Sequence, residues 1–489
     1  MASLNGGARS SSSSSSASAS SPILKVAVVG KRPTSNGGAS SADDSSNSLL
    51  GLKPGNVISV KRPGSNLAAK QYGPFLRVSG EACPLFSSCC ASDVSDALRR
   101  GTSYGVLSFG GVGNGKTTAM WGSPNSLEPE NAIVPTACGE LFALVDAASE
   151  PGDEVLVAAS FLRVSAIAEC QDDCLNPDLA TSGLGLRLRE AVGAAQPPWG
   201  EFYTEGLSQR VCADGGDLTM AALDGLDQAE AIDRLDESLK RGDRSHKLFT
   251  VTVLRRRRNG DLLRSTLHFL DTAGIPRPEA TTKTASKPFG GKSAAERRKE
   301  MLAKKEAKKE DPTTKAIVRV VDSLADGLSH VPYRDAKLTR LLKGVLGGCG
   351  KGSWRGLVVG CVSSAPGSYA ETEAMLQFLH KASVAPVAKQ SAVPRGVVAP
   401  VPFVINAAAE ISRMRPRTLQ LARELCGAAS LEAVDRLRPE DIHCDMQSPP
   451  EMEELRSLLS DRDQLLRDPF DEIRRATAGS SSSSSSSSS

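Results

Sequence analysis

The sequence predicts an α/β fold: a central sheet with helices on both sides, built around a phosphate-binding loop and followed by a small helical appendage. Three observations carry this. The apolar run YGVLSF (104–109) leads directly into Gly110-Gly-Val-Gly-Asn-Gly115-Lys116-Thr117, which satisfies G-x-x-x-x-G-K-[ST], and KTTAMWG continues as a helix start. Strand-like apolar runs alternate with helical segments up to about residue 383. From about 405 to 476 only helical segments follow.

The elements follow in order. ILKVAVVGKRP (23–33) reads as a buried strand ending at a basic-Pro corner, and the polar stretch 34–49 reads as a loop. ASDVSDALRRG (91–101) has helical periodicity, and EVLVAASFLRVSA (154–166) is strand-like. In HKLFTVTVLRRRRNGDLLRSTLHFLDTAG (246–274) two apolar strands flank Asn259-Gly260, the strongest short hairpin signal. The four arginines 255–258 precede that turn and read as a solvated hairpin tip. Residues 277–315 form a basic insert, with twelve Lys or Arg against six Asp or Glu. RGLVVGCVSSAP (355–366) is a further buried strand, with a helix near 369–383. The expected organisation is a Ser-rich disordered tail (1–21), a main domain (22–385), a linker (386–404), a short helical region (405–476) and a disordered poly-Ser tail (477–489).

Composition excludes more than it assigns. With 59 Lys and Arg against 56 Asp and Glu, the formal charge of +3 over 489 residues points to no nucleic-acid partner. No run approaches the ~20 apolar residues of a membrane span. Eleven scattered Cys, without His or Cys at metal-finger spacing, read as ordinary reduced thiols. The expectation is a soluble, cytoplasmic chain.

The loop carries the chemistry. Its glycines let backbone N–H groups turn inward around a phosphate at a helix N-terminus. Gly110, Gly111, Val112, Gly113, Asn114, Gly115, Lys116, Thr117 and Thr118 form the candidate phosphate site. Lys116 supplies charge to the β- and γ-phosphates, and the Thr117 hydroxyl suits Mg²⁺. FLDTAG (269–274) is an apolar strand ending in Asp-x-x-Gly, so Asp271 can hold a Mg-bound water and the Gly274 N–H can sense a γ-phosphate. DTAG alone suits a small GTPase equally well, but no Asn-Lys-x-Asp motif follows.

These residues together resemble the kinesin motor domain over roughly 22–385. SYGVLSFGGVGNGKTTAMWG is similar to the family's phosphate loop and helix, GDRSHKLFTVTV (242–253) to switch I, and LHFLDTAG to the switch II strand. HVPYRDAKLTRLLKGVLGG (330–348) is very close to the family's H-I-P-Y-R-D-S-K-L-T-R-L-L, and GLVVGCVSSAPGSYAETEAMLQFLHKA (356–382) follows its last core strand and helix. The resemblance implies a mixed sheet with a mostly parallel core, ATP and Mg²⁺ as cofactors, microtubules as partner, and a cytoskeletal location. It implies Arg244 and Ser245 in switch I, Arg32 and Pro33 beside the adenine, and His330, Tyr333, Arg334, Lys337, Arg340 and Lys343 near the filament, with Tyr333 equally able to pack the loop.

The chain departs from the family at defined points. The two switch I serines are Gly242 and Asp243, Asp243 being an additional candidate Mg²⁺ ligand, and the family Asn falls on Leu239. In switch II the Ser and Glu fall on Ile275 and Pro276, so Arg244 lacks the family's partner. R-x-R-P reads Gly30-Lys31-Arg32-Pro33. Met452, Leu455, Leu458, Leu459, Leu465 and Leu466 sustain only about two heptads, and Pro416, Pro439, Pro449 and Pro450 interrupt the region, so no long coiled coil is expected and the oligomeric state stays open. Three readings follow: a microtubule-stimulated ATPase motor domain, a hydrolysis-deficient microtubule-binding clamp, and a P-loop nucleotidase unrelated to microtubules.

Overall fold

The computed structural model describes residues 24–31, 49–79, 84–122, 132–166, 168–176, 185–190, 202–235, 245–259, 262–274, 312–346, 355–384, 402–427, 431–443 and 448–466. The strands are β1 (Leu24–Lys31), β2 (Leu50–Lys53), β3 (Val57–Val60), β4 (Lys70–Tyr72), β5 (Arg77–Ser79), β6 (Tyr104–Gly110), β7 (Glu154–Ser165), β8 (Gln171–Asp173), β9 (Arg187–Glu190), β10 (Phe202–Glu205), β11 (Arg210–Cys212), β12 (Ser245–Arg256), β13 (Leu262–Asp271) and β14 (Arg355–Ser363). The α-helices are α1 (Ala91–Arg100), α2 (Lys116–Trp121), α3 (Ile133–Ala148), α4 (Gly215–Leu235), α5 (Pro312–Ala325), α6 (Lys337–Leu341), α7 (Tyr369–Val384), α8 (Pro402–Cys426), α9 (Leu431–Arg436) and α10 (Pro450–Leu466).

Nine strands form one mixed sheet in the order β11-β7-β12-β13-β6-β14-β1-β5, with β8 beside β7. The pairs from β13 through β6, β14 and β1 to β5 are parallel, and those of β12 and β7 are antiparallel. β6 is buried along its whole length, as a central parallel strand covered on both faces must be. Period-two alternation sorts side chains into two cores. Val106, Phe249, Phe269 and Val359 face α1–α4. Leu107, Leu248, Leu270 and Val358 face α5–α7. Beneath the loop helix Trp121, Phe161, Phe249 and Phe269 form a chain of rings with successive centroids 5.6, 6.0 and 6.1 Å apart.

The expected hairpin is present: β12 and β13 pair from Lys247–Asp271 to Arg256–Leu262. Gly260 of its turn lies outside the described residues. The arginines before it are not uniformly solvated. Arg255 is buried and donates to Leu98 O and Arg99 O, both at 3.2 Å, and to Ala148 O, so one guanidinium serves the C-terminal carbonyls of α1 and α3. Helix C-termini present exactly such unpaired carbonyls to a cation, which is why a planar five-donor group is retained there.

The segment beyond 402 builds a separate core from Leu421, Ala422, Val434, Ile442, Leu455 and Leu459, with Met452 and Leu458 packed against it. The apolar spacing of α10 is therefore used within the chain. Pro416, expected to interrupt the helix, lies inside α8. Burial of Leu421 and Ala422 holds the turns after it, and the Thr418 hydroxyl donates to Met414 O at 3.0 Å. Of the basic insert only 312–315 is described, as the start of α5. The Ser-rich tails, nearly all of the linker, and the side chains of Leu465 and Leu466 lie outside the described residues. Cys89, Cys90, Cys138, Cys170, Cys174, Cys212, Cys361 and Cys426 are free thiols. No helix among the described residues is long and apolar enough to cross a membrane.

Candidate functional site

The site lies at the carboxyl ends of the parallel strands β6, β13 and β14, where an open α/β sheet leaves a crevice. β6 ends at Gly110, the loop turns, and α2 begins at Lys116. Gly113 (φ +78°) and Gly115 (φ +93°) hold left-handed backbone that a side chain would strain, although no atom lies within 4 Å of a Cβ built there. The space beside both glycines is open. Lys116 is buried, and its ammonium donates to Gly111 O at 3.0 Å.

Asp271 forms the floor. The Thr117 hydroxyl donates to its Oδ2 at 2.9 Å and the Ser108 hydroxyl to its Oδ1 at 3.0 Å, while Thr272 Oγ1 donates to Ser108 O at 2.6 Å. Burial holds the Asp271 carboxyl above its ordinary range, and Lys116, Lys247 and the two hydroxyls act against that rise. Gly274 lies against the loop: a Cβ there would stand 2.6 Å from Val112 Cγ2. The preceding Ala273 N–H donates to His246 Nδ1 at 3.1 Å, which ties the root of β12 to the end of β13.

The oxygens of Thr117 and Asp271, with a nearby lysine and an inward-turning glycine loop, match the hard donors that Mg²⁺ takes and the cradle that a polyphosphate takes. Among the described residues no group of three or more His, Cys, Asp or Glu side chains could hold a metal by itself. The donor set thus fits a metal shared with phosphate.

Ser245, at the start of β12, bonds to α4. Its hydroxyl donates to Asp233 Oδ2 at 2.6 Å, and Asp233 Oδ1 accepts from Arg163 Nε at 2.6 Å. The other arm of Arg163 reaches Asp172 at 2.6 Å. Burial opposes the charge on Arg163, but Asp233 and Asp172 more than offset it and leave the guanidinium above its ordinary value. Ser245 therefore anchors β12 to α4 and β7. Arg32, Pro33, Leu239, Gly242, Asp243, Arg244, Ile275 and Pro276 lie outside the described residues.

The expected filament residues divide by environment. His330 and Arg334 are exposed, Arg334 standing 3.6 Å from Glu190. Tyr333 Oη donates to Leu346 O at 3.1 Å, with Lys343 Nζ 6.0 Å from its ring centroid. Lys337 Nζ donates to Glu169 O at 2.9 Å, and Arg340 donates to Arg334 O at 2.8 Å. Tyr333, Lys337 and Arg340 thus shape the segment that presents the others.

Two contacts escaped sequence reasoning. Asn114 Nδ2 donates to Glu371 Oε1 at 2.8 Å, joining the phosphate loop to α7. A Cβ on Gly111 would lie 1.3 Å from that same oxygen. Nothing local flags Glu371, because the contact spans 257 residues. Lys247 did carry a signal: it is a charge on the same strand parity as Phe249, Val251 and Val253.

The comparisons with known proteins follow this geometry. The Kinesin motor domain family model matches residues 77–384. Kinesin-like protein Klp98A of Drosophila melanogaster is 28% identical over 304 residues, covering 60% of this chain and 22% of its own length. Human kinesin-like protein KIF7 is 30% identical over 307 residues, covering 60% of this chain and 20% of its own. The chain thus spans about a fifth of the length of these curated relatives. A solved structure described as "Structure of a fast kinesin: Implications for ATPase mechanism and interactions with microtubules" superposes with a TM-score of 0.56 at 22% identity, covering 78% of this chain and 97% of that one. That likeness shows the fold. With the family model matched over more than half of its 489 residues, the chain belongs to the kinesin motor domain family.

Proposed function

We propose that this chain binds Mg-ATP in the crevice above β6 and β13, hydrolyses it, and couples the nucleotide state to affinity for microtubules. The observation that carries the reading is the Lys116–Thr117–Asp271 constellation: a buried loop lysine beside a hydroxyl and a carboxylate 2.9 Å apart. The backbone N–H groups around Gly113 and Gly115 take the phosphate oxygens, and Lys116 exchanges Gly111 O for the β- and γ-phosphates. Thr117 and Asp271 hold the metal, Asp271 through water, with Ser108 fixing the carboxylate's orientation. Bound Mg²⁺ supplies neutralisation of charge on the transferring phosphoryl group. Gly274, in contact distance of Val112, lets the end of β13 follow the loop's occupancy. The surface around His330, Arg334 and Lys343 meets the filament, with the basic insert that precedes α5 in sequence contributing salt-sensitive attraction.

A second reading is favoured by the residues at the switches. Gly242, Asp243 and Pro276 replace groups that position water and close the site in the family, which supports a microtubule-binding clamp with slow turnover. Loss of one such group costs about 10²–10⁴-fold in rate.

The deciding experiment is steady-state ATP hydrolysis at low salt, with and without microtubules, beside Lys116→Ala. Microtubule-stimulated turnover abolished in that variant is the expected result for a motor. Nucleotide and microtubule binding without turnover, restored by joint Gly242→Ser, Asp243→Ser and Pro276→Glu substitution, supports the clamp. Failure to cosediment with microtubules in any nucleotide state overturns both.

A further inference from the structure

We propose that Lys247 is a second cation of the nucleotide site, supplying beside Asp271 part of the positive charge that otherwise comes from the divalent metal. The inference rests on the crevice being a nucleotide site.

The placement follows from register. Lys247 is directly opposite Asp271 in the antiparallel β12–β13 pair, so both side chains leave the same face of the sheet. It is the face on which Phe249 and Phe269 pack, and on which Thr117 and Ser108 reach Asp271. Directly opposed Cβ atoms stand about 5 Å apart, and a lysine stem spans that distance easily. Lys247 is 8% exposed, Lys116 3% and Asp271 3%. A buried ammonium is costly without opposite charge nearby. The ion pair given to Lys247 is a long one, 3.8 Å to Glu230 Oε1 on α4, and Glu230 also accepts from Arg234 at 3.2 Å. After Lys116, Lys247 is the charge that acts most against the burial-driven rise of the Asp271 carboxyl. Two buried lysines therefore face one buried carboxylate next to the open glycine cradle. Lys247 meets Glu230 only at 3.8 Å, which leaves its ammonium placed to take a polyphosphate oxygen beside Lys116.

A purely structural role, pairing with Glu230 to hold α4, makes a different forecast. In that case Lys247 affects stability but leaves the metal dependence of nucleotide binding alone. The test is equilibrium binding of a fluorescent ADP analogue to the full chain, in excess Mg²⁺ and in excess EDTA. The variants are Lys247→Met, Lys247→Arg, Glu230→Gln and Lys116→Ala. We expect chelation to weaken binding about tenfold in the wild type and about a hundredfold or more in Lys247→Met, with Lys247→Arg returning to the wild-type ratio. Glu230→Gln keeps the lysine and removes its long ion-pair partner, so its Mg²⁺-to-EDTA ratio falls below that of the wild type. Should Lys247→Met fail to fold by its thermal transition, Glu230→Gln carries the test alone. A ratio unaltered in Lys247→Met, or in Glu230→Gln, overturns the inference while leaving the nucleotide site intact. Absence of ADP binding by the wild type in Mg²⁺, equal to Lys116→Ala, overturns the nucleotide reading and the inference with it.

Discussion

The space between Gly111 and Glu371 admits a hydrogen on one side and a carboxylate on the other. A Cβ 1.3 Å from Glu371 Oε1 makes Gly111→Ala incompatible with the Asn114–Glu371 bond. Gly111→Ala is expected to weaken ADP binding at least about tenfold, the scale of one lost hydrogen bond to a charged group. Adding Glu371→Ala recovers little of it, because the acceptor for Asn114 goes with the carboxylate. Calorimetric titration of the two variants checks this, and a silent Gly111→Ala sinks it. A different residue contributes to acid sensitivity. His268 is half-buried with Thr250 Oγ1 3.0 Å from its Nδ1, and burial, aided by Arg264, lowers its pKa to about 4. Its neutral form is therefore favoured in the fold. The resulting stability is complete above the unfolded value of about 6.5 and is lost as pH falls from there through about 4. The contribution is roughly 2 kcal/mol after allowing for partial exposure. His268→Gln flattens the fall of the urea midpoint between pH 6.5 and 4, and an unchanged slope removes the histidine from the account. At this scale the loop and Asp271 were legible because their chemistry is local in sequence. Glu371 was not, since only the fold brings α7 to the loop.

Among the elements, the β12–β13 hairpin was readable from Asn259-Gly260 between two alternating runs, and the structure follows it for ten residue pairs. The arginines beside it misled because a charge run reads as a solvated tip, whereas Arg255 meets the ends of two helices that are remote in sequence. Its companion Asp153, 3.8 Å from Arg255 Nε, is itself buried at 2% side-chain exposure. Arg255→Met leaves that carboxylate without its counter-charge and three carbonyls without their guanidinium donor, and is expected to destabilise the main domain by about 3 kcal/mol. Arg255→Lys recovers little, since one ammonium on a flexible stem does not reproduce a fork reaching α1 and α3 together. Thermal melts of both variants test the point, and a Lys variant equal to wild type contradicts it. Helix α8 taught the converse lesson. Pro416 signals a break by local rules, but packing of the turns after it on α10 overrides that signal.

Across the whole molecule, alternating strand and helix patterns were enough to expect a sheet covered on both faces, and the parallel core came with the family resemblance rather than from periodicity. The small sheet β2-β3-β4 and the β9–β10 pair were not legible, because three- and four-residue strands carry too little pattern. The helical segment beyond 402 has its own core, closed by Arg462, which donates to Val434 O at 2.9 Å and Leu437 O at 2.6 Å at the end of α9. Arg462→Met should therefore lower the unfolding transition of that segment and leave nucleotide affinity unchanged, as read by calorimetry and ADP titration on the same sample. A fall in both would tie the segment's packing to the crevice.

The order of strands has one more consequence, for the chain in a crowded solution. The long strand β7 would offer a twelve-residue unpaired edge, but β11 occupies it at residues 157–159 and β8 at 162–164. At the opposite margin the outermost strand, β5, is three residues long. Among the described residues neither rim gives an incoming strand a long run of vacant backbone donors and acceptors, so the sheet is a poor template for growth by strand addition, and partial unfolding that releases β8 or β11 is the event that would expose one.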